Sequence, residues 1–319
     1  PRIDYSDSST EPSLLLEPQS TNLITYSSYF SSAIWNANTD VIVDEGYLSP
    51  EGTLNAAKVT KDGTNAKLAM FIGGTAPITK SIYARTVSGT GTAYFGEGSV
   101  SGGVLSTVTE QWQRFEITVN ANNFYAVDFR GAATLTEVIV FGAQLEQKSY
   151  ATSYIPTSGS TATRLGETAN NAGGAGVFNS EEGVLYAEIA ALADDNSDRK
   201  ISLSDGSLNN LINIGLSRFS GNINAEVKSG GVLQTSGFGA TGVTQTNNNK
   251  FALSWGGGVS KFYVNGTLAS SHTNVTSPIG MNVLNFSLSS GSQKMYLNCK
   301  DLRVYNTALT DEELQTLTT

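Results

Sequence analysis

The segment KDLRVYNTALTDEELQTLTT, Lys300–Thr319, closes the chain and decides how the rest is read. Leu302 and Val304 alternate with charged neighbours, as they do on a strand with one buried face. After a short turn, Thr310 stands where a helix N-cap would, and Glu313 three positions on completes a capping box. Asp311 and Glu312 suit the positive end of a helix. Leu309, Leu314 and Leu317 are spaced to pack on one side. The expectation is a last strand, then one turn of helix that caps an open end of two packed sheets.

Upstream of that segment every periodic stretch reads as strand. KSIYARTV (Lys80–Val87), TAYFGEG (Thr92–Gly98), WQRFEITVN (Trp112–Asn120), NFYAVDF (Asn123–Phe129) and TEVIVFGAQLE (Thr136–Glu146) lie between turn signals. In RFEITV, Phe115, Ile117 and Val119 share one face and Glu116 and Thr118 the other. Strands resume at GVLYAEIAAL (Gly183–Leu192). NKFALSWGGGVSKFYVNG reads as a hairpin that ends in an Asn265–Gly266 turn. The pattern predicts an all-β chain of two tandem jelly-roll sandwiches with a short C-terminal helix.

A change of composition separates the two. PTSGSTATRLGETANNAGGAG (Pro156–Gly176) has no aromatic residue and one leucine, so it reads as a linker or exposed crossover. The expected organisation is an N-terminal extension over 1–13, a first sandwich over 14–156, a linker over 157–176 and a second sandwich over 177–319. The chain starts at Pro1 without Met, as a processed product or a part of something longer would.

The 319 residues carry a net charge of −9, which argues against nucleic acid and against an anionic membrane surface. No run of 18 apolar residues and no signal peptide is evident. Cys299 is the one cysteine, so no intrachain disulfide forms, and its apolar setting suits a small buried thiol. His272 is the one histidine and sits in a loop-like stretch. Metal pairing by histidine is thereby excluded, and neither a Ser-His-Asp nor a Cys-His arrangement is indicated. The acids could supply a carboxylate pair anywhere, but nothing in their spacing marks one.

Two other chemistries have candidates. ADDNSDRK places Asp194, Asp195 and Asp198 in one loop, where hard oxygen ligands would suit Ca²⁺, although such acids are more often simply solvated. Asp40, Asp44 and Glu45 form a weaker second set. For sugar, aromatic faces would stack on CH patches while polar groups reach hydroxyls. The candidates are Trp35, Tyr47 and Tyr94, with Phe95 beside it, in the first unit, and Trp255 and Arg218, with Phe219, in the second. Core packing competes with ligand contact at each aromatic. Tyr94 and Phe95 are adjacent, so one must face away from the other. Trp112 reads as framework. The two-faced apolar run TEVIVFGAQL fits either self-association or a central strand covered by loops.

Particular stretches resemble known families. GVLYAEIAAL, KFALSWGGGVSKFYVNGTLA and DLRVYNTALTDEELQTL resemble the opening strand, central hairpin and closing strand-helix of concanavalin-like, laminin-G-like jelly rolls. EPSLLLEPQSTNLITYSSYFSSAIW (Glu11–Trp35), YLSPEGTLNAAKVT (Tyr47–Thr60) and FGAQLEQKSYATSYIPTSGSTATR (Phe141–Arg164) resemble a galactose-binding-like jelly roll of carbohydrate-binding modules. The version they resemble is common in tail and head-appendage proteins of tailed bacteriophages. That resemblance implies a non-enzymatic virion component, a tail fibre, spike or capsid appendage, that binds host-surface polysaccharide. It also implies neighbouring virion proteins as partners and a symmetric homo-oligomer such as a trimer. A purely architectural virion protein, and a glycan-active enzyme or its accessory module, are the alternatives.

Overall fold

The computed structural model describes residues 2–5, 10–35, 40–174, 176–235, 239–240 and 242–319. Over the described residues it is all-β with one short C-terminal helix, and it contains two sandwiches with separate apolar cores. Among the described residues no helix is long and apolar enough to cross a membrane.

The chain begins with β1 (Arg2–Asp4) and β2 (Ser13–Leu16). The next eleven strands are β3 (Ser20–Asn22), β4 (Val41–Tyr47), β5 (Ala56–Lys61), β6 (Lys67–Phe71), β7 (Thr79–Arg85), β8 (Gly91–Gly96), β9 (Leu105–Val108), β10 (Gln113–Thr118), β11 (Asn123–Asp128), β12 (Glu137–Glu146) and β13 (Ala162–Arg164). They build one unit, Gln19–Leu165, from a five-stranded sheet ordered β10-β7-β12-β5-β4 and a four-stranded sheet ordered β6-β11-β8-β9. β3 and β13 form a separate two-stranded ribbon.

The remaining elements are β14 (Gly183–Ala191), β15 (Arg199–Ser204), β16 (Leu211–Leu216), β17 (Ile223–Ser229), β18 (Val232–Leu233), β19 (Gly239–Ala240), β20 (Asn249–Gly256), β21 (Val259–Val264), β22 (Thr267–Thr273), β23 (Val283–Asn285), β24 (Leu297–Tyr305) and α1 (Asp311–Thr318). The other unit consists of Pro1–Pro18 and Gly166–Thr319. Its larger sheet runs β1-β2-β24-β14-β20-β21-β22, and its second sheet runs β18-β17-β16-β15-β23, with β19 also on β17.

These boundaries differ from the sequence expectation. Within the expected extension over 1–13, Arg2–Asp4 and Ser13 belong to strands β1 and β2 of the other unit. β2 pairs with β24, Leu14 opposite Cys299, and Leu16 is buried in the core that β14–β24 build. The first sandwich is therefore an insertion within the second. Nor is 157–176 a bare tether. Ala162–Arg164 pair with Ser20–Asn22, the Glu167 amide donates to the Glu17 carbonyl (2.9 Å), and Ala172 bridges Leu284. Backbone hydrogen bonds, which any side chain permits, hold a segment too poor in apolar groups to be recognised as structured.

The inserted unit is closed by one buried amide. Asn22, fully buried, donates through Nδ2 to the carbonyls of Ala143 (3.1 Å) and Ile155 (2.9 Å). Its Oδ1 accepts from the amides of Ile24 (3.1 Å) and Leu145 (3.1 Å). The Glu146 carboxylate accepts from Ser20 Oγ and Thr152 Oγ1, from the Thr152 amide (2.9 Å) and from Gln144 Nε2 (2.7 Å). Within the same unit, Lys80 and Glu97 form a fully buried ion pair at 2.8 Å. Burial pushes the Lys80 ammonium below its usual range, against the pull of Glu97.

The hairpin and the helix form as their sequences require. Gly257 and Gly258 (φ 58° and 79°) turn β20 into β21, and Asn265 and Gly266 (φ 48° and 77°) turn β21 into β22. The capping box is present: Thr310 Oγ1 accepts from the Glu313 amide (3.3 Å) and Glu313 Oε2 from the Thr310 amide (2.8 Å). The helix does not cap an open end of the sandwich, however. Leu314 packs on Val184, Tyr186, Ala252 and Tyr263, the outward side chains of β14, β20 and β21. These four make an apolar patch on the outside of the large sheet, and α1 removes it from water.

Asn22→Ala is expected to cost at least about 2 kcal/mol, because it strips partners from several buried backbone groups; equilibrium denaturation measures this. Lys80→Met and Glu97→Gln are each expected to cost about 3–5 kcal/mol, because each leaves half of a buried pair. The double variant is expected to lose less than the sum of the two.

Candidate functional site

The five-stranded sheet of the inserted unit turns an aromatic face outward. On β7, Ile82 and Ala84 point into the core, so Tyr83 and Arg85 point out. On β12, Val138 and Val140 are core residues, so Ile139 and Phe141 point out. On β5, Ala57 and Val59 face inward and Ala56 outward. An irregularity between Glu45 and Tyr47, at Gly46 (φ 92°), shifts the register so that Tyr47 lies opposite Ala56. Trp112, just before β10, and Tyr154, on the segment that leaves the unit, complete the group.

The result is a fully covered floor of Ala56, Ile139 and Phe141 under four half-buried rings, Tyr47, Tyr83, Trp112 and Tyr154. Phe141 meets Tyr154 edge-on at 5.1 Å and Tyr83 at 6.1 Å. Three cations steady the outer rings: Lys58 over Tyr47 (5.8 Å), Arg85 over Trp112 (5.4 Å) and Arg114 over Tyr83 (5.4 Å). Arg114 is itself fixed, donating to Ser81 Oγ (2.8 Å) and the Thr152 carbonyl (2.7 Å) and pairing with Glu116 (3.3 Å). The Tyr154 hydroxyl shares a hydrogen bond of 2.6 Å with Ser27 Oγ. Burial pushes its phenol up to about 12. Donation to the Tyr47 hydroxyl, with Glu137 and Asp44 nearby, holds the Lys58 ammonium above its usual range. Such a face offers ring surfaces for CH groups, polar rims for hydroxyls, and little freedom to lose on binding.

Of the sequence candidates for sugar, Tyr47 alone joins this face. Trp35 is buried, packed against Phe30 (5.0 Å) and Phe124 (5.9 Å), and its Nε1 donates to the Tyr26 carbonyl (3.2 Å). Trp255 is likewise buried, in the core of the discontinuous unit. Phe95 stacks on Phe115 at 4.6 Å inside the inserted core, and Tyr94 does face the other way. The 130–132 loop covers Tyr94, with the Ala132 amide donating to its hydroxyl (3.4 Å), so that ring is closed off too. Arg218 is exposed in the other unit, 5.1 Å above the Phe219 ring.

The acidic candidates do not converge. Asp194 accepts from Ser220 Oγ, Asp195 pairs with Arg199, and Asp198 accepts from the Arg218 amide (2.8 Å). Asp40 accepts from the Asn65 amide (2.8 Å), Asp44 lies 3.8 Å from Lys58, and Glu45 accepts from the Ser31 amide (2.8 Å). Among the described residues no three His, Cys, Asp or Glu side chains gather where a metal ion could sit. These carboxylates are held apart by separate partners, so the Ca²⁺ expectation gains no donor set.

Sequence reasoning missed Tyr83, Arg85, Arg114 and Tyr154 and assigned Trp112 to framework. Parity could have found the first two, since Tyr83 and Arg85 alternate with Ile82 and Ala84. Tyr154 lies in a loop, where parity does not operate.

No protein-family model matches this chain, and no curated protein does. Solved structures do. The chain is similar to the Ruminococcus gnavus IT-sialidase CBM40, at 17% identity and a TM-score of 0.36, over 47% of this chain and 94% of that one. It is similar to the NanB sialidase from Streptococcus pneumoniae at 20% identity and a TM-score of 0.36, over 44% of this chain and 25% of that one. A heptameric SAP-like pentraxin from Limulus polyphemus matches at 14% identity and a TM-score of 0.35, over 47% of this chain and 74% of that one. At these identities and TM-scores the matches carry no argument about the ligands or role of this chain.

Cys299 is buried on β24, and burial pushes its thiol up to about 12. The folded protein is therefore expected to resist a thiol-specific reagent at mildly alkaline pH and to react in denaturant. Rapid labelling without denaturant would contradict that placement.

Proposed function

We propose that this chain is a non-catalytic glycan-binding protein and that the aromatic face of its inserted sandwich holds a run of polysaccharide. One observation carries the reading: four half-buried rings share an outward sheet face, braced by three cations, over a floor already closed to water. Rings that served only as core would be covered, as Trp35 and Trp255 are. Sugar rings present CH patches that match such surfaces, with hydroxyls at the edge to meet Lys58, Arg85 and Glu116. Nearby acids offset the cations: Asp44 and Glu137 each lie 3.8 Å from Lys58, and Glu116 lies 3.3 Å from Arg114. That balance, with a net charge of −9, favours neutral sugars over polyanions.

The likeness of Glu11–Trp35 and Phe141–Arg164 to phage appendage proteins supports a place on the outside of a virion, facing host polysaccharide. One open face binds weakly, and copies repeated on a particle would raise the effective concentration. Virion neighbours and a symmetric oligomer belong to this proposal.

On a bacterial polysaccharide array, the full chain is expected to bind a neutral polymer. Tyr83→Ala and Trp112→Ala should each weaken that binding about tenfold, a loss of about 1.4 kcal/mol per ring. Arg85→Gln, which removes one brace, should weaken it less. Binding to no polymer, or undiminished binding by both ring variants, would contradict the assignment and favour a purely architectural role.

A further inference from the structure

We propose a second sugar site, in the discontinuous unit, that takes a single neutral hexose-sized ring. It lies on the outward side of β15, β16 and β17 and does not depend on the aromatic face of the inserted unit. Across those strands Lys200, Gly215 and Asn224 stand in one row, and Ser202, Asn213 and Glu226 in the next. Lys200 Nζ donates to Asn213 Oδ1 (3.1 Å) and pairs with Glu226 Oε2 (2.9 Å), and Asn213 Nδ2 donates to that same oxygen (2.8 Å). Burial pushes the Glu226 carboxyl up, but Lys200 and Asn213 outweigh it and hold it below its usual range.

The middle of the first row is glycine. A Cβ on Gly215 would lie 3.1 Å from both Cδ and Cε of Lys200, so any larger residue would crowd the lysine stem and raise the floor. The neighbours of Gly215 in these rows, Lys200, Asn224 and Glu226, line a depression of about 320 Å³. Its walls come from the β16–β17 turn, with Arg218, Phe219 and Asn222, and from Gln293, whose carbonyl accepts from the Lys200 amide (3.0 Å).

Several polar atoms that line this depression are left without a protein hydrogen-bond partner. Gln293 Oε1 is buried and accepts no hydrogen bond. Among the described residues, Glu226 Oε1, the side-chain amides of Asn222 and Asn224, and the Arg218 guanidinium likewise make no hydrogen bond or ion pair. Donors and acceptors therefore line one small space together, which is what a polyol needs, since each hydroxyl both gives and takes. Phe219, 60% exposed, supplies an apolar lip for a CH face. Lys200 and Arg218 are matched by Glu226 and Asp198, so the ligand that fits is uncharged. The volume is near the lower end of the range of about 300–1,000 Å³ for small-molecule pockets, enough for one ring and not for a chain of them.

The test is saturation-transfer NMR of the full chain with free glucose, galactose, mannose and N-acetylglucosamine, each at millimolar concentration, beside glucuronate and galacturonate. At least one neutral sugar is expected to bind, and the uronates more weakly. Asn224→Ala and Phe219→Ala, whose side chains hold no other part of the fold, should each weaken that binding about tenfold. Tyr83→Ala, in the other unit, should leave it unchanged, so failure here is distinguishable from failure of the polysaccharide face. No signal from any neutral sugar, or a signal that survives both pocket variants, would overturn the proposal.

Discussion

The structure depends on bringing the chain back to where it left. At Pro18 the chain leaves one sandwich, builds a second, and must return at Gly166 to complete the first. In the inserted unit the two ends meet as β3 against β13, and in the other unit Glu17 and Glu167 meet through a backbone hydrogen bond. Asn22 fastens the start of the insert to Ala143, Leu145 and Ile155, and Glu146 fastens its end to Ser20 and Thr152. The polar residues of these two stretches are buried because they close this ring. An unsatisfied buried amide is costly, so the ring closes completely or the insert loses its base.

This constraint explains what the sequence disclosed and what it withheld. Strand after strand was legible from period-two patterning, and so were the Asn265–Gly266 turn and the capping box at Thr310, because each is set by residues a few positions apart. The partner of β2 was not legible. Four residues, SLLL, look alike whether they open one sandwich or complete another, and their pairing with Cys299 and Leu297 spans nearly the whole chain. The helix formed where its caps predicted, but its resting place depended on an outward apolar patch assembled from β14, β20 and β21.

The same limit governs the candidate site. Alternation says that Tyr94 and Phe95 face opposite ways; it does not say that the 130–132 loop then covers Tyr94. Trp35 and Trp255 are aromatic for volume, and both fill cores. The rings that gather on the outward sheet face are Tyr47, Tyr83, Trp112 and Tyr154, from a bulged strand, a central strand, a strand shoulder and a loop. Their convergence is a product of the five-stranded sheet, and the braces from Lys58, Arg85 and Arg114 exist only once it has formed. The proposed polysaccharide face and the proposed single-ring site differ in kind, one a broad face and the other a small depression.

If the insert is closed by its own base and carries the polysaccharide face, residues 19–165 alone should contain both properties. The decisive measurement is the unfolding cooperativity and polysaccharide affinity of that fragment beside the full chain. The account predicts a single cooperative transition and an affinity within about threefold of the full chain, a difference under about 1 kcal/mol. A fragment that fails to fold, or one that folds and does not bind the polymer that the full chain binds, would contradict it.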